Sequence, residues 1–561
     1  MGESHLRGRG RWTRMRTDLG ACVLLFGLTV LLQYGNGAFA SEFGNYPDEA
    51  AHYVTGLMVH DFCWSGNWLH PRAFAEDYYV HYPKVALGHW PPFFYLLQAM
   101  WMSVFPIGRS SLVLFMAALT TGLATIVYLT ARRLYGGWAG LGLGALVLLL
   151  PPVQEWSSAL MADILMALLC LQATLAFGRF VDHSRWQDSC AFGLWSSMAI
   201  LTKGTGLALA LLPLSALVFS RRFTLLRRWT FWLPAVLVAA LCAPWYFLTL
   251  GMVQSGWVES APSWTYSLHA VRYYSREIVV SLGAGLFALA LVGLIARLLL
   301  PAWRGGASGL WSAFGGWLAA FVILNCVVPC GAEPRFLLPI LPIFVMAAAA
   351  GAEQAARFLA AVFVRPMPQL LGPVLIGFLF LAFVNPMPKA ASVRGYADVA
   401  SAILNDAEGR RLVLLVSGDT CDEGMFVSEI AQRDRQHAHI VLRTSKVLSS
   451  SHWVGKNFAL RFATAEEAAR YLEQLSVDFV VLDMTVPPEK QFPDQRQLLT
   501  CLESASPRYR LAGKFPLVRR NEVIPDGIHV YRLQATVSSS PRIIRVPMDA
   551  MLGRTLEMAL P

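Results

Sequence analysis

At 561 residues and 61.9 kDa the chain is long enough for several soluble domains, yet 55% of it is hydrophobic, only 15% is charged, and its mean hydropathy is +0.47. Soluble domains run at about 45–50% apolar and about 25% charged, so a soluble enzyme, a disordered chain and a disulfide-rich secreted scaffold are excluded. The net charge of +10 invites nucleic acid as a partner, but the placement of the basic residues argues for a membrane instead.

In chain order, residues 1–18 form a basic leader with Arg7, Arg9, Arg11, Arg14 and Arg16. Apolar runs follow at 19–37, 111–131, 137–153, 159–178, 189–202, 205–220, 229–250, 278–299, 309–328, 335–350 and 369–386. They predict an α-helical polytopic membrane protein with about eleven transmembrane helices, in a membrane domain spanning 19–390. Several runs contain proline, as at Pro151, Pro152, Pro213, Pro244, Pro339 and Pro342. Broken helices of that kind suit positions facing protein or a water-filled cavity.

Every second loop is basic: Arg132 and Arg133, Arg179 and Arg185, Arg221 to Arg228, Arg297 and Arg304, Arg357 and Arg365. Basic loops stay in the cytoplasm, which places the amino terminus inside and the carboxyl-terminal segment outside. The positive charge is thereby a topology signal, and no nucleic-acid partner is expected. The triplet Ala38-Phe39-Ala40 after a basic stretch and an apolar run also fits a cleaved signal peptide, which would leave the next segment outside just the same.

The first outer loop, 38–110, is too long for a connector. It carries Phe62, Trp64, Trp68, Tyr78, Tyr79 and Tyr82, then an apolar piece from Pro92 to Phe105 that suits a helix lying at the membrane interface. From about 391 charge returns, and β-branched runs at 411–417, 438–443, 478–483 and 528–533 alternate with helical stretches such as 464–475. These predict an extracytoplasmic α/β domain at 391–535 and a loose tail at 536–561. Gly418-Asp419 lacks the glycines of a nucleotide-binding loop. Of nine cysteines none has zinc spacing; a Cys421–Cys501 bridge is open if that domain faces an oxidising space, and Cys326 and Cys330 read as packing residues.

An ionisable side chain beside the hydrocarbon core costs about 2.5–3.5 kcal/mol, so each one requires a reason. Asp48-Glu49 directly after the first span either caps a helix or supplies a general base at the membrane surface. Lys84 and His89, in the segment ending His89-Trp90-Pro91-Pro92, either snorkel toward headgroups or hold an anion. Asp163 is the one acid or base between Ser158 and Leu175, and Lys203 in Leu201-Thr202-Lys203-Gly204 has no charged neighbour in sequence. Glu333-Pro334-Arg335 precedes a proline-containing span as a structural pair or as part of a site. All fall on the predicted outer side, where such cations suit a lipid phosphate and a nearby carboxylate suits chemistry.

At these residues the chain resembles the GT-C superfamily of polytopic glycosyltransferases, in the branch of the bacterial relatives of dolichyl-phosphate-mannose protein mannosyltransferase and lipid A aminoarabinose transferase. The resemblance covers roughly residues 20–350. It is carried by Asp48-Glu49, by His89-Trp90-Pro91-Pro92, by the turn ending at Asp163, by Leu201 to Gly204, and by Arg335 to Pro342, in the family's order. Trp90 stands where the family often has lysine, and the carboxyl-terminal domain does not resemble the mannosyltransferase accessory domain. The resemblance implies an enzyme of the bacterial inner (cell) membrane that uses a polyprenyl-phosphate-sugar donor. It would transfer the sugar to a glycan, lipid or protein acceptor at the outer face, with inversion. Asp48 would be the general base and Glu49 a partner in catalysis. Lys84, His89, Lys203 and Arg335 would contact the donor phosphate, and Asp163 the sugar or acceptor. No cofactor is expected; Asp48, Glu49, His52 and Asp163 could hold a divalent metal, but their spacing does not demand one.

A secondary transporter or lipid flippase is the alternative, because transporters also use intramembrane acids and bases. Against it stand the absence of an internal repeat and the clustering of charges at one face. A ligase that joins whole glycans and a non-catalytic scaffold fit less well: the first is not marked by Asp48-Glu49, and the second leaves Asp48 and Lys203 unexplained.

Overall fold

The computed structural model describes residues 2–254, 261–363, 371–387, 392–407, 409–450, 458–475, 477–504, 509–534, 542–547 and 555–560. The chain begins with α1 (Gly2–Gly35), and three helices then fill the first loop: α2 (Glu49–Trp64), α3 (Pro71–His81) and α4 (Phe93–Met102). The bundle continues with α5 (Arg109–Tyr135), α6 (Gly137–Leu149), α7 (Pro151–Ser157), α8 (Asp163–His183), α9 (Trp186–Ile200), α10 (Leu212–Ser220), α11 (Trp229–Gln254) and α12 (Trp264–Leu282). Beyond it α13 (Ala284–Leu294) runs through a π turn into α14 (Leu300–Arg304), followed by α15 (Gly309–Val327), α16 (Leu341–Phe363) and α17 (Leu371–Phe383).

Among the described residues six helices are long and apolar enough to cross a membrane: Met15–Gly35, Arg109–Tyr135, Asp163–His183, Trp229–Gly251, Ala284–Arg304 and Gly309–Val327. The pair α6 and α7, bent by 67°, makes a seventh if it forms one broken span. The other expected stretches form α9, α10 and α17, which are shorter, and α16, which carries Glu353 and Arg357. The chain is a multi-pass membrane protein. One expected boundary moves. The run read as 278–299 is cut at Gly283, whose φ of 74° ends α12 and lets α13 start at Ala284.

Close packing holds the bundle where lipid gives no hydrophobic drive between helices. A Cβ on Gly293 would lie 1.9 Å from the Ala347 carbonyl oxygen, so α13 and α16 cross with their backbones in contact. Gln33 of α1 donates through Nε2 to the carbonyls of Val113 (3.1 Å) and Ser157 (2.8 Å), tying α1 to α5 and α7 beside the bend.

The carboxyl-terminal part is an α/β domain. Its six-stranded mixed sheet has the order β1-β7-β8-β6-β2-β3, built from β1 (Val393–Arg394), β2 (Val413–Ser417), β3 (Ile440–Arg443), β6 (Phe479–Asp483), β7 (Tyr509–Arg519) and β8 (Glu522–Leu533). The central β2 pairs in parallel with β3 and β6, while β6, β8, β7 and β1 pair antiparallel in turn. The short β4 (Ser449–Ser450) and β5 (Ala459–Leu460) pair with each other. Helices α18 (Tyr396–Asp406), α19 (Thr420–Arg433), α20 (Thr444–Val447), α21 (Ala465–Leu475) and α22 (Pro493–Ser504) complete the domain. The stretch expected to be a loose tail instead holds β9 (Arg542–Pro547) and β10 (Thr555–Leu560), paired antiparallel.

The domain sits on the first loop. Glu42 accepts hydrogen bonds from the backbone N–H groups of Gly395 (2.8 Å), Tyr396 (3.0 Å) and Ala397 (3.0 Å) at the start of α18. The Tyr82 hydroxyl donates to Asp434 at 2.8 Å, and Arg443 donates to the Pro83 carbonyl at 3.2 Å. Helix α19 thereby lies on α2, close enough that a Cβ on Gly424 would be 2.8 Å from the Ala50 methyl. The Cys421–Cys501 bridge is not formed: all nine cysteines are free, and the Cys501 thiol donates to the Ala465 carbonyl.

Candidate active site

The two adjacent acids after α1 take opposite paths. Asp48 stands at the N-cap position of α2, but its backbone is helical (φ −85°, ψ −16°) and its side chain caps nothing. Its Oδ2 instead accepts from Arg335 Nη1 at 3.3 Å, and its side chain is 26% exposed. The capping reading of Asp48 is therefore set aside.

Glu49, one residue on, turns inward and is fully buried. Its Oε1 accepts from Arg109 Nη1 (2.7 Å) and from the Leu160 N–H (3.0 Å), and its Oε2 from the Asn45 N–H (2.9 Å). Arg109 also donates to the carbonyls of Ala38 (2.9 Å) and Ser158 (3.2 Å). One buried ion pair thus fastens the Asp48 turn, the start of α5 and the unwound stretch before α8. Glu49 positions that turn, with both its oxygens engaged there.

The unwound stretch matters because it delivers Asp163. The helix breaks after α7 and α8 restarts at Asp163, which puts a carboxylate in the first turn, where the helix dipole favours negative charge. Asp163 is buried, and its Oδ1 accepts from Lys203 Nζ at 2.6 Å. Lys203 follows α9 in an extended conformation and points its ammonium over the Phe336 ring at 4.8 Å. The turn before it is pinned by the Phe93 N–H, which donates to the Leu201 carbonyl at 2.9 Å. That bond joins the His89-Pro92 segment to the Lys203 turn.

Arg335 is the hub. Besides Asp48 it reaches Glu333, with Nη2 to Oε1 at 3.0 Å. Its guanidinium lies over the rings of Tyr46 (4.6 Å), Phe336 (5.6 Å) and Trp156 (5.7 Å). The Tyr46 hydroxyl donates to Glu333 Oε2 at 2.7 Å. Planar stacking together with forked donation is what arginine offers and lysine does not. Arg335 and Asp163 line a common cavity with Thr205, Trp317 and Asn325.

The structure thus brings Asp48, Asp163, Lys203 and Arg335 to one end of the bundle. Lys84 stands elsewhere, beneath the α/β domain, with Nζ donating to the Thr420 carbonyl at 3.1 Å. Burial pushes its ammonium down to about 7. Its ammonium, expected to contact the donor phosphate, is here engaged by the backbone of the α/β domain. His89 lies on the turn beside Trp90, their rings 5.8 Å apart. Trp90 stacks on His52 at 4.2 Å, and His52 Nδ1 meets the Tyr95 hydroxyl at 2.8 Å. Burial pushes His52 down to about 3, so it stays neutral. With Glu49 turned to Arg109 and His52 against Trp90, no three His, Cys, Asp or Glu side chains among the described residues converge as metal ligands.

Sequence reasoning missed Arg109, Tyr46 and Trp156. Arg109 looked like an ordinary boundary residue at the foot of an apolar span, and the aromatic pair carried no charge to draw notice.

A helical bundle with an α/β domain on its first loop, and acids and bases gathered at one end, defines a polytopic membrane protein of GT-C fold, as the sequence resemblance implied. Residues 89–247 match the family model described as dolichyl-phosphate-mannose-protein mannosyltransferase, a stretch that contains His89, Asp163 and Lys203 but neither Asp48 nor Arg335. Among solved structures, ArnT from Cupriavidus metallidurans, bound to undecaprenyl phosphate, matches with a TM-score of 0.56 at 16% identity, over 93% of this chain and 99% of that one. Because the membrane domain ends near 390, a match of that extent reaches into the α/β domain. The archaeal oligosaccharyltransferase AglB from Archaeoglobus fulgidus, in complex with an inhibitory peptide and a dolichol-phosphate, matches with a TM-score of 0.53 at 14% identity, over 84% of this chain and 70% of that one. At these identities the likeness is one of fold. No curated protein matches the chain by sequence.

Proposed function

We propose that the chain is a membrane glycosyltransferase that moves a sugar from a polyprenyl-phosphate donor to an acceptor hydroxyl. The observation that carries this reading is the convergence of Asp48, Asp163, Lys203 and Arg335 at one end of a GT-C bundle. The polyprenyl phosphates bound by the two structural neighbours support a donor of that class. In this reading the catalytic end lies at the outer face of a bacterial inner membrane, a sidedness supported by the alternation of basic loops in the sequence.

In the proposed reaction the acceptor oxygen attacks the anomeric carbon from the side opposite the phosphate. The new C–O bond forms as the bond to the phosphate oxygen breaks. The electron pair leaves on the phosphate, the hydroxyl proton passes to Asp48, and the configuration inverts. The transition state is oxocarbenium-like at carbon and gains negative charge on the phosphate.

Each residue then has a task set by its surroundings. Asp48 uses one oxygen on Arg335, its other oxygen accepts no hydrogen bond among the described residues, and it is exposed enough for an acceptor to reach. Glu333 is also exposed, but both its oxygens are engaged, by Tyr46 and Arg335. Lys203 and Arg335 are cations already stripped of most water, where a charge-stabilising contact is strongest. Arg335 links the two ends of the reaction, touching the base while facing the phosphate. Asp163 orients Lys203 and is proposed to meet sugar hydroxyls, and His89 flanks the phosphate. The acceptor, whether glycan, lipid or protein, approaches on the Asp48 side.

The test is release of undecaprenyl phosphate from a panel of radiolabelled undecaprenyl-phosphate sugars by protein in lipid, with membrane extract as acceptor. Release that requires Asp48 supports the reading. No release from any donor, with uptake of substrate into proteoliposomes, favours transport.

A further inference from the structure

One polar side chain at this end of the bundle has no role in the reaction so far. Asn325 lies in the last turn of α15, a helix otherwise apolar enough to cross the membrane, and it is only 4% exposed. Its Nδ2 donates to the Phe321 carbonyl one turn back at 3.0 Å, which fixes the orientation of the amide. The other end, Oδ1, is buried and has no hydrogen-bond partner among the described residues. Leaving a buried amide oxygen bare is costly, and a leucine would pack at the same place without that cost.

The cavity that Asn325 lines is shared with Asp163, Thr205, Trp317 and Arg335, which are the residues assigned above to the sugar and phosphate and their neighbours. The space in it that a water-sized group can enter is about 20 Å³, enough for one such group. A whole sugar ring does not fit there, but a single hydroxyl does. Lys203 already holds Oδ1 of Asp163, and Arg335 can only donate. Among the described side chains that line the cavity, Asn325 Oδ1 is the buried acceptor with no hydrogen-bond partner.

Building on the glycosyltransferase reading, we propose that Asn325 is a specificity-determining residue, whose Oδ1 accepts a hydrogen bond from one hydroxyl of the donor sugar inserted into this cavity. The donor class follows: a sugar that carries a free hydroxyl at that one position. A deoxy or O-substituted sugar there leaves Oδ1 bare or collides with the cavity wall. A site built to bond a hydroxyl rejects the analogue that lacks it, because the protein's own polar atom is then stranded.

The test uses full-length protein in lipid and the undecaprenyl-phosphate sugar that it turns over, with the set of monodeoxy analogues of that sugar. Wild type is expected to lose about 10- to 100-fold in kcat/KM for one deoxy analogue, the cost of stranding one buried acceptor. Asn325→Leu is expected to lose a similar factor with the parent sugar and nothing further with that analogue. Inhibition by undecaprenyl phosphate, which has no sugar, should be unchanged in Asn325→Leu, and that also reports a correctly folded site. The proposal is overturned if Asn325→Leu lowers kcat/KM equally for every analogue, leaves it unaltered for all, or weakens undecaprenyl phosphate as well. Asn325→Ser, which keeps a short acceptor, provides the same comparison should the leucine variant fail to fold. If wild type turns over no donor at all, it is the glycosyltransferase reading that falls, and this inference with it.

Discussion

Replacing Glu49 by glutamine separates a fold residue from a reaction residue. The carboxylate is fully buried and accepts three hydrogen bonds, one of them from Arg109 at 2.7 Å. An amide oxygen in the Oε1 place keeps Leu160 and Arg109 but turns an N–H₂ group toward the Asn45 N–H, and the reverse orientation turns it toward both Leu160 and Arg109, so a donor meets a donor either way. Arg109, itself 8% exposed, is left as a buried charge without its counter-ion. Breaking a buried pair from one side costs about 3–5 kcal/mol, a large share of the roughly 5–15 kcal/mol that holds a typical domain folded. Thermal unfolding in lipid nanodiscs should therefore show Glu49→Gln and Arg109→Met strongly and similarly destabilised. The double variant should be less destabilised than the sum of the two, because no lone charge remains. Donor turnover per folded molecule, measured well below the unfolding temperature, should fall far less than in an Asp48 variant. A Glu49→Gln protein of unchanged thermal stability that has lost turnover would refute the assignment and return Glu49 to the chemistry.

Three further outcomes are expected. Arg335→Lys keeps the charge but loses the fork between Asp48 and Glu333 and the stacking on Tyr46, so single-turnover rates should drop about 10²- to 10³-fold with a smaller change in donor binding. Lys84 gives a pH dependence: burial pushes it down to about 7 from 10.5, so between those values the unfolded chain binds the extra proton and stability rises with pH. Melting temperatures across that range should climb in wild type and lose that slope in Lys84→Met. Glu42→Ala removes the acceptor for three backbone N–H groups at the start of α18, so limited proteolysis should cut between the membrane domain and the α/β domain sooner than in wild type.

What the sequence revealed follows from where charge is expensive. Asp163 and Lys203 stood out because each interrupts a long apolar run, and the structure pairs them at 2.6 Å. The long apolar helices and the β-branched runs that became β2, β3 and β6 were legible, whereas β7, β9 and β10 were not, because their residues alternate less strictly with charge and turn signals between them. Asp48 and Glu49 are chemically alike and adjacent, and only the direction in which α2 starts sends one toward Arg335 and buries the other. Lys84 was read as a headgroup cation or a donor-phosphate contact because its partner, the Thr420 carbonyl, lies 336 residues away and is a backbone atom that sequence does not advertise. The break at Gly283 was hidden because an apolar run passes through it. Asn325 drew no attention for the same reason, since one uncharged amide barely lowers the hydropathy of a span.

The most direct measurement is radiolabelled undecaprenyl phosphate released from the active donor by wild type and by Asp48→Asn, with the acceptor present and in single turnover. Asparagine keeps the size of the side chain and an oxygen for Arg335 but does not take a proton. The account predicts that Asp48→Asn binds donor and loses transfer by about 10²-fold or more, with an inverted anomeric configuration in whatever product wild type forms. Undiminished release from Asp48→Asn, or a product of retained configuration, would contradict it.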